Sequence, residues 1–86
     1  MKKLSFQIKD KIGLHARPAG VLATNAKNFE CEITVKCGDK QANAKRLLSL
    51  MSLGATSGST LHFTFDGKDE EKALEKISEV LNEQLG

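Results

Sequence analysis

Histidine is scarce in this chain, with two among 86 residues. One of them, His15, stands in the run GLHARPAG at 13–20, with Arg17 two residues on and Pro18 three on. An imidazole offers a nucleophilic nitrogen. A guanidinium offers a planar, permanently charged fork that matches phosphate oxygens. The simplest chemistry that uses both is transient phosphorylation of the ring. The imidazole attacks phosphorus, and the cation steadies the oxygens as their charge is redistributed.

The surrounding pattern places this pair. Residues 3–9 alternate, with Leu4, Phe6 and Ile8 on one face and Lys3, Ser5, Gln7 and Lys9 on the other, as in a half-buried strand. Residues 16–27 carry Ala19, Leu22, Ala23 and Ala26 at helical spacing. GLHARPAG joins the two. Gly13 permits a tight turn, and His15 falls at the helix N-cap. Pro18 is tolerated in the first turn, where N–H groups have no intrahelical acceptor. The ring therefore stands where the free N–H groups of Ala16 and Arg17 and the positive end of the helix dipole converge. That is an anion site. Serine or glycine would serve a site built only to bind. A plain histidine cap beside a solvated arginine fits the same spacing. No second histidine or carboxylate lies at ligand spacing, so a metal is not expected.

Three more strands follow from alternation or turn signals: 31–37, a short polar partner at 40–43 after Gly38-Asp39, and 60–66. A second long helix is expected at 70–84, with Asp69 as its cap and Glu70 and Glu71 suiting the dipole. Residues 46–53 differ, because apolar side chains fall on every side of a segment ended by Gly54. Leu50 and Leu53 can reach a core, which leaves Leu47, Leu48 and Met51 as an exposed apolar patch of the kind that marks a partner site. The order β-α-β-β-α-β-α is satisfied by an α+β fold with a four-stranded antiparallel sheet, helices on one face and water on the other. His62 points to the open face.

Composition narrows the function. The formal charge of +2, from 13 basic and 11 acidic residues, is too weak for a nucleic-acid footprint. An RNA-binding module would also need surface aromatics, and the chain has no Trp or Tyr. No apolar run approaches the roughly 18 residues of a membrane span, and Ser5, Gln7 and Lys9 break any signal-peptide core. A cytoplasmic location and no direct membrane insertion are expected. Cys31 and Cys37 lie on one strand with Cα atoms roughly 20 Å apart, beyond the ~7 Å limit for pairing. Both read as small buried side chains. The length suits one domain, residues 1–86, with one core and no deep substrate cavity.

With these residues in hand, the chain strongly resembles the histidine-containing phosphocarrier family, HPr, of the bacterial phosphoenolpyruvate-dependent sugar phosphotransferase system. GLHARPAG matches the family's active-site motif, and NAKRLLSLMSLG at 43–54 matches its second signature. The resemblance implies an open-faced β-sandwich with three helices. It implies that His15 accepts a phosphoryl group on Nδ1 from enzyme I and passes it to sugar-specific IIA components, without a cofactor. By residue match Arg17 neutralises the phosphate. The docking face combines Gly20, Thr24 and Lys27 of the first helix with Lys45, Arg46, Leu47, Leu48, Met51 and Ser52. A monomer is expected. The chain departs from the low-GC Gram-positive pattern at Arg46, where those members carry a kinase-regulated serine, so serine-kinase control is expected to be absent. Ser49 and Ser52 are not at the regulatory register. The alternative is a regulatory paralogue that binds partners through 47–52 without carrying phosphate. Retention of both His15 and Arg17 counts against it.

Overall fold

The computed structural model describes residues 1–86 throughout. Its elements are β1 (Lys2–Gln7), α1 (Ala16–Ala26), β2 (Glu32–Cys37), β3 (Lys40–Asn43), α2 (Leu47–Met51), β4 (Thr60–Asp66) and α3 (Glu70–Leu85). The strands form one antiparallel sheet in the order β1-β4-β2-β3. The last strand is thus an interior one. That explains its apolar content, because Leu61, Phe63 and Phe65 are fully buried. The Phe63 and Phe65 rings stack 6.1 Å apart at 14°. The polar partner strand β3 is an edge, as its composition suggests.

The helices lie on the face that β1, β2 and β4 turn inward, and 22 buried apolar residues form one core beneath them. Ala19, Leu22, Ala23 and Ala26 of α1 and Ala73, Ile77, Val80 and Leu81 of α3 supply the helical side. Leu85 joins them one residue beyond the expected end of α3 and is fully buried. The other sheet face carries His62, Lys36 and Ser5, all exposed, with Ser5 Oγ 2.9 Å from His62 Nδ1. No helix is long and apolar enough to cross a membrane.

β1 ends at Gln7, short of the expected Lys9. Ile8 is still buried, but its backbone bonds the loop before β4 instead of a ladder partner. Asp69 is a larger correction. It occupies the N-cap position of α3, yet its side chain makes no capping bond. Both carboxylate oxygens turn across to the start of β2, accepting from the N–H of Glu30 at 2.8 Å and of Cys31 at 2.9 Å. The carboxylate thus satisfies two converging backbone donors across the fold in place of a first-turn N–H of its own helix. The first helical residue, Glu70, instead holds the preceding turn and the N-terminus, accepting from the Gly67 N–H at 3.1 Å and pairing with the terminal ammonium at 3.0 Å. Burial and the adjacent Asp69 carboxylate push the Cys31 thiol up to about 11, so it stays protonated and inert. Cys31 and Cys37 are both free.

The donors at Asp69 and Glu70 hold both carboxyls below their ordinary values, chiefly through the backbone N–H of Glu30 and of Gly67 respectively. A carboxylate with a lowered folded value contributes stability that is complete above its unfolded value of about 4 and is lost as pH falls through the folded value. Asp69→Asn should therefore lower the melting temperature at pH 7 and flatten its decline as pH is taken from neutral to below about 4. Thermal melts across that range check it. Parallel curves for the two proteins would show that Asp69 carries none of the acid sensitivity.

Candidate functional site

The site forms where β1 hands the chain to α1. The connecting loop is pinned along its length. The Ile8 N–H donates to the Ser59 carbonyl at 2.9 Å, and the Ile8 carbonyl accepts from Gly58 at 2.8 Å. The N–H groups of Lys9 and Asp10 both donate to the Leu85 carbonyl at the end of α3, at 2.8 and 3.1 Å. The Leu14 N–H donates to the Ala55 carbonyl at 3.1 Å, and Leu14 is buried. Between these anchors Gly13 has φ +85° and lies against the backbone of Ala55 and Thr56.

This loop delivers His15 to the N-cap of α1 in an extended conformation, φ −105° and ψ −173°. The His15 carbonyl accepts from the Ala19 N–H at 3.0 Å, but its ring makes no capping bond. The N–H groups of Ala16 and Arg17 have no backbone acceptor, as first-turn donors generally do not. Arg17 is exposed and takes part in no ion pair. A half-exposed nucleophilic ring thus stands beside an uncommitted cation and two free N–H donors. Ala16 and Arg17 also border a shallow hollow of about 420 Å³ along α1 that passes Gly20, Val21, Thr24 and Asn25.

α2 packs beside α1. Leu50 and Leu53 are buried, while Leu47, Leu48 and Met51 remain 39%, 80% and 40% exposed. The surplus apolar surface inferred from the sequence is therefore present, with Leu48 as its most prominent member. Arg46 is the N-cap of α2, exposed and extended, with no capping side-chain bond. Ser52 is exposed and its hydroxyl donates to the Ser49 carbonyl at 2.7 Å. Thr24 and Lys27 are exposed on and just after α1.

Lys45 differs from its expected place among free surface cations. It is half-buried, and its ammonium donates to the Phe29 carbonyl at 2.7 Å. That carbonyl lies just past the end of α1, where acceptors have lost their helical donors. Sequence reasoning also passed over Ile12, which stands 69% exposed in the site loop. Its signal was present, as an isoleucine between Lys11 and Gly13, outside every alternating run.

A family model described as the PTS HPr component phosphorylation site matches residues 2–83. The chain belongs to the HPr family. It is 38% identical over 81 residues to the phosphocarrier protein HPr of Mycoplasma capricolum, covering 94% of this chain and 91% of that one. A solved Mycoplasma histidine-containing phosphocarrier protein superposes with a TM-score of 0.93 at 36% identity, over 95% of this chain and 93% of that one. Crh of Bacillus subtilis, a catabolite-repression protein described as a swapped dimer, superposes with a TM-score of 0.76 at 31% identity, covering 100% and 99%. HPr proteins are phosphocarriers of the phosphotransferase system and not catalytic enzymes. The four-stranded sheet with three helices is the HPr architecture.

Proposed function

We propose that His15 accepts a phosphoryl group from phosphorylated enzyme I and passes it to sugar-specific IIA components. The observation that carries this reading is the unengaged His15 ring beside Arg17 and the free N–H groups of Ala16 and Arg17. In the acceptance step the lone pair of His15 Nδ1 attacks phosphorus. The new N–P bond forms as the bond to the donor breaks, and that electron pair leaves with the donor. The two N–H groups and the guanidinium meet the phosphoryl oxygens, which need charge compensation through the loose transition state. Delivery to a IIA component is the same step reversed. The protein works in the cytoplasm as a monomer. Arg46 presents no hydroxyl to a serine kinase, so the carrier stays competent to dock regardless of that kinase.

The test is incubation with phosphoenolpyruvate and enzyme I, followed by intact mass. One acid-labile phosphoryl group should be gained, then lost on addition of a IIA component. No gain in mass would leave the regulatory, non-carrier reading.

Arg17→Lys keeps the charge and loses the planar fork. Phosphotransfer should slow about tenfold in both directions. The melting temperature should stay within about 4 °C, because the side chain is exposed and unpaired. Rapid-quench kinetics and a thermal melt check both halves.

The α2 patch predicts how partners are met. Exposed Leu47, Leu48 and Met51 have Arg46 beside them, with Arg17 and Lys27 on the neighbouring α1 side. This suits a partner with an apolar groove and an acidic rim. Raising ionic strength to the physiological range should lower the association rate with enzyme I about tenfold. Leu48→Ala should raise the dissociation rate about tenfold with little effect on folding. Stopped-flow binding separates the two, and a salt-independent association rate would remove the electrostatic half.

A further inference from the structure

Ile12 is 69% exposed, far more than Leu47 or Met51, and it belongs to none of the packed elements. Its exposure is held by the fold. The Ile12 N–H donates to Asp10 Oδ2 at 3.1 Å, so the preceding turn is closed by a carboxylate. Lys9 and Asp10 are tied to Leu85, Leu14 to Ala55, and Gly13 is wedged against Ala55 and Thr56. Leu14 takes the buried place in this loop. With the backbone fixed on both sides, Ile12 is presented to solvent, an arrangement with no packing advantage.

Its neighbours say what it meets. Lys9 and Lys11, both on its N-terminal side, are exposed, and the one carboxylate in the run, Asp10, is turned to the backbone. An exposed apolar side chain preceded by free lysines is chemistry akin to that of Leu48, which follows Arg46. Ile12 also lies three residues from His15, so their Cα atoms are at most about 11 Å apart. A protein that delivers a phosphoryl group must bring phosphorus within about 3–3.5 Å of the ring. A stable protein partner covers about 800 Å², a footprint about 16 Å in radius. A footprint of that size that includes His15 has room to extend over Ile12.

We infer that Ile12 is a second apolar docking point for phosphorylated enzyme I. It acts from the site loop, on a different element from the α2 patch, and seats in an apolar recess with acidic groups around it. The inference rests on the reading that enzyme I phosphorylates this chain. Ile12 touches no reacting atom in it and contributes to affinity alone.

The experiment compares wild type with Ile12→Ser and Ile12→Val. Each is phosphorylated by enzyme I with phosphoenolpyruvate and, separately, by phosphoramidate, a small donor that needs no docking surface. Ile12→Ser should raise KM and Kd for enzyme I about tenfold, as loss of one apolar anchor does. Its kcat, melting temperature and phosphoramidate rate should be unchanged, and Ile12→Val should behave as wild type. A wild-type KM for Ile12→Ser overturns the inference. So does an equal fall in the enzyme I and phosphoramidate rates, which would mean a disturbed loop, or an Ile12-dependent self-association seen by sedimentation. Wild type that reacts with phosphoramidate but not with enzyme I would instead overturn the phosphocarrier reading on which this one stands.

Discussion

His15→Ala is expected to abolish phosphoryl acceptance from enzyme I while leaving the fold intact. Removing a nucleophile from a site that acts as a unit lowers turnover by a factor on the order of 10⁶. Here no second imidazole lies near α1, since His62 is on the opposite sheet face. The stability cost should be small. N-cap residues are worth about 0.5–2 kcal/mol when their side chains bond the first turn, but the His15 ring makes no such bond. A loss of about 0.5 kcal/mol or less follows. The other histidine provides the control. His62 sits on the opposite sheet face against Ser5, so His62→Ala should take up acid-labile phosphate as wild type does. Intact mass of both variants after incubation with enzyme I and phosphoenolpyruvate decides it. Undiminished label on His15→Ala would move the acceptor elsewhere.

Gly13→Ala should produce the largest loss of stability of any single methyl added near the site. A Cβ there would lie 2.7 Å from Thr56 Cα and 2.8 Å from the Ala55 carbonyl oxygen. Both are backbone atoms, which cannot rotate aside. The φ of +85° adds strain for any L side chain. Relief requires the loop to lift from residues 55–56, and that breaks the Leu14 bond to Ala55. A destabilisation of about 2–4 kcal/mol is expected, with the urea midpoint lowered and the slope unchanged. Phosphoryl acceptance by the remaining folded protein should fall too, because the same contact sets where His15 stands. Gly20→Ala is the matched control. Its Cβ would meet nothing within 4 Å, and the change inside a helix should stabilise by about 0.5–1 kcal/mol. If both substitutions gave the same sign, the contact at residues 55–56 would not be what holds the loop.

These contrasts also show what a sequence makes legible. Alternation in KLSFQIK, CEITVKC and TLHFTFD located the buried faces, because a side chain's face in a strand depends on neighbours two residues away. The apolar surplus at Leu47, Leu48 and Met51 was legible for a similar reason, since a short helix has one buried face and too many candidates for it. His15 and Arg17 announced themselves by residue type and by position at a helix start. Long-range pairings did not. Asp69 looks like a helix cap until the start of β2 is placed beside it. Lys45 looks like a free cation until the end of α1 is found within its reach. Ile12 was legible only in part, as an isoleucine outside every alternating run. No periodic rule applies to a loop, so its exposure depends on anchors at Ala55 and Leu85, far away in sequence.

The carbonyl of Leu85 couples the site loop to the motion of α3. It accepts from both Lys9 and Asp10, in the last turn of α3, where a helix ordinarily frays. Opening of that turn would free Lys9 and Asp10, one of several anchors on the segment that leads to His15, and closing would recapture them. The amide protons of Lys9 and Asp10 should then exchange with solvent at the pace of the helix end, not at the faster pace of a surface loop. The Leu85 carbonyl, some seventy residues away in sequence, thus helps set how long the segment leading to His15 stays docked. Changes confined to the last turn of α3, outside the α1 and α2 faces, are expected to alter that dwell time.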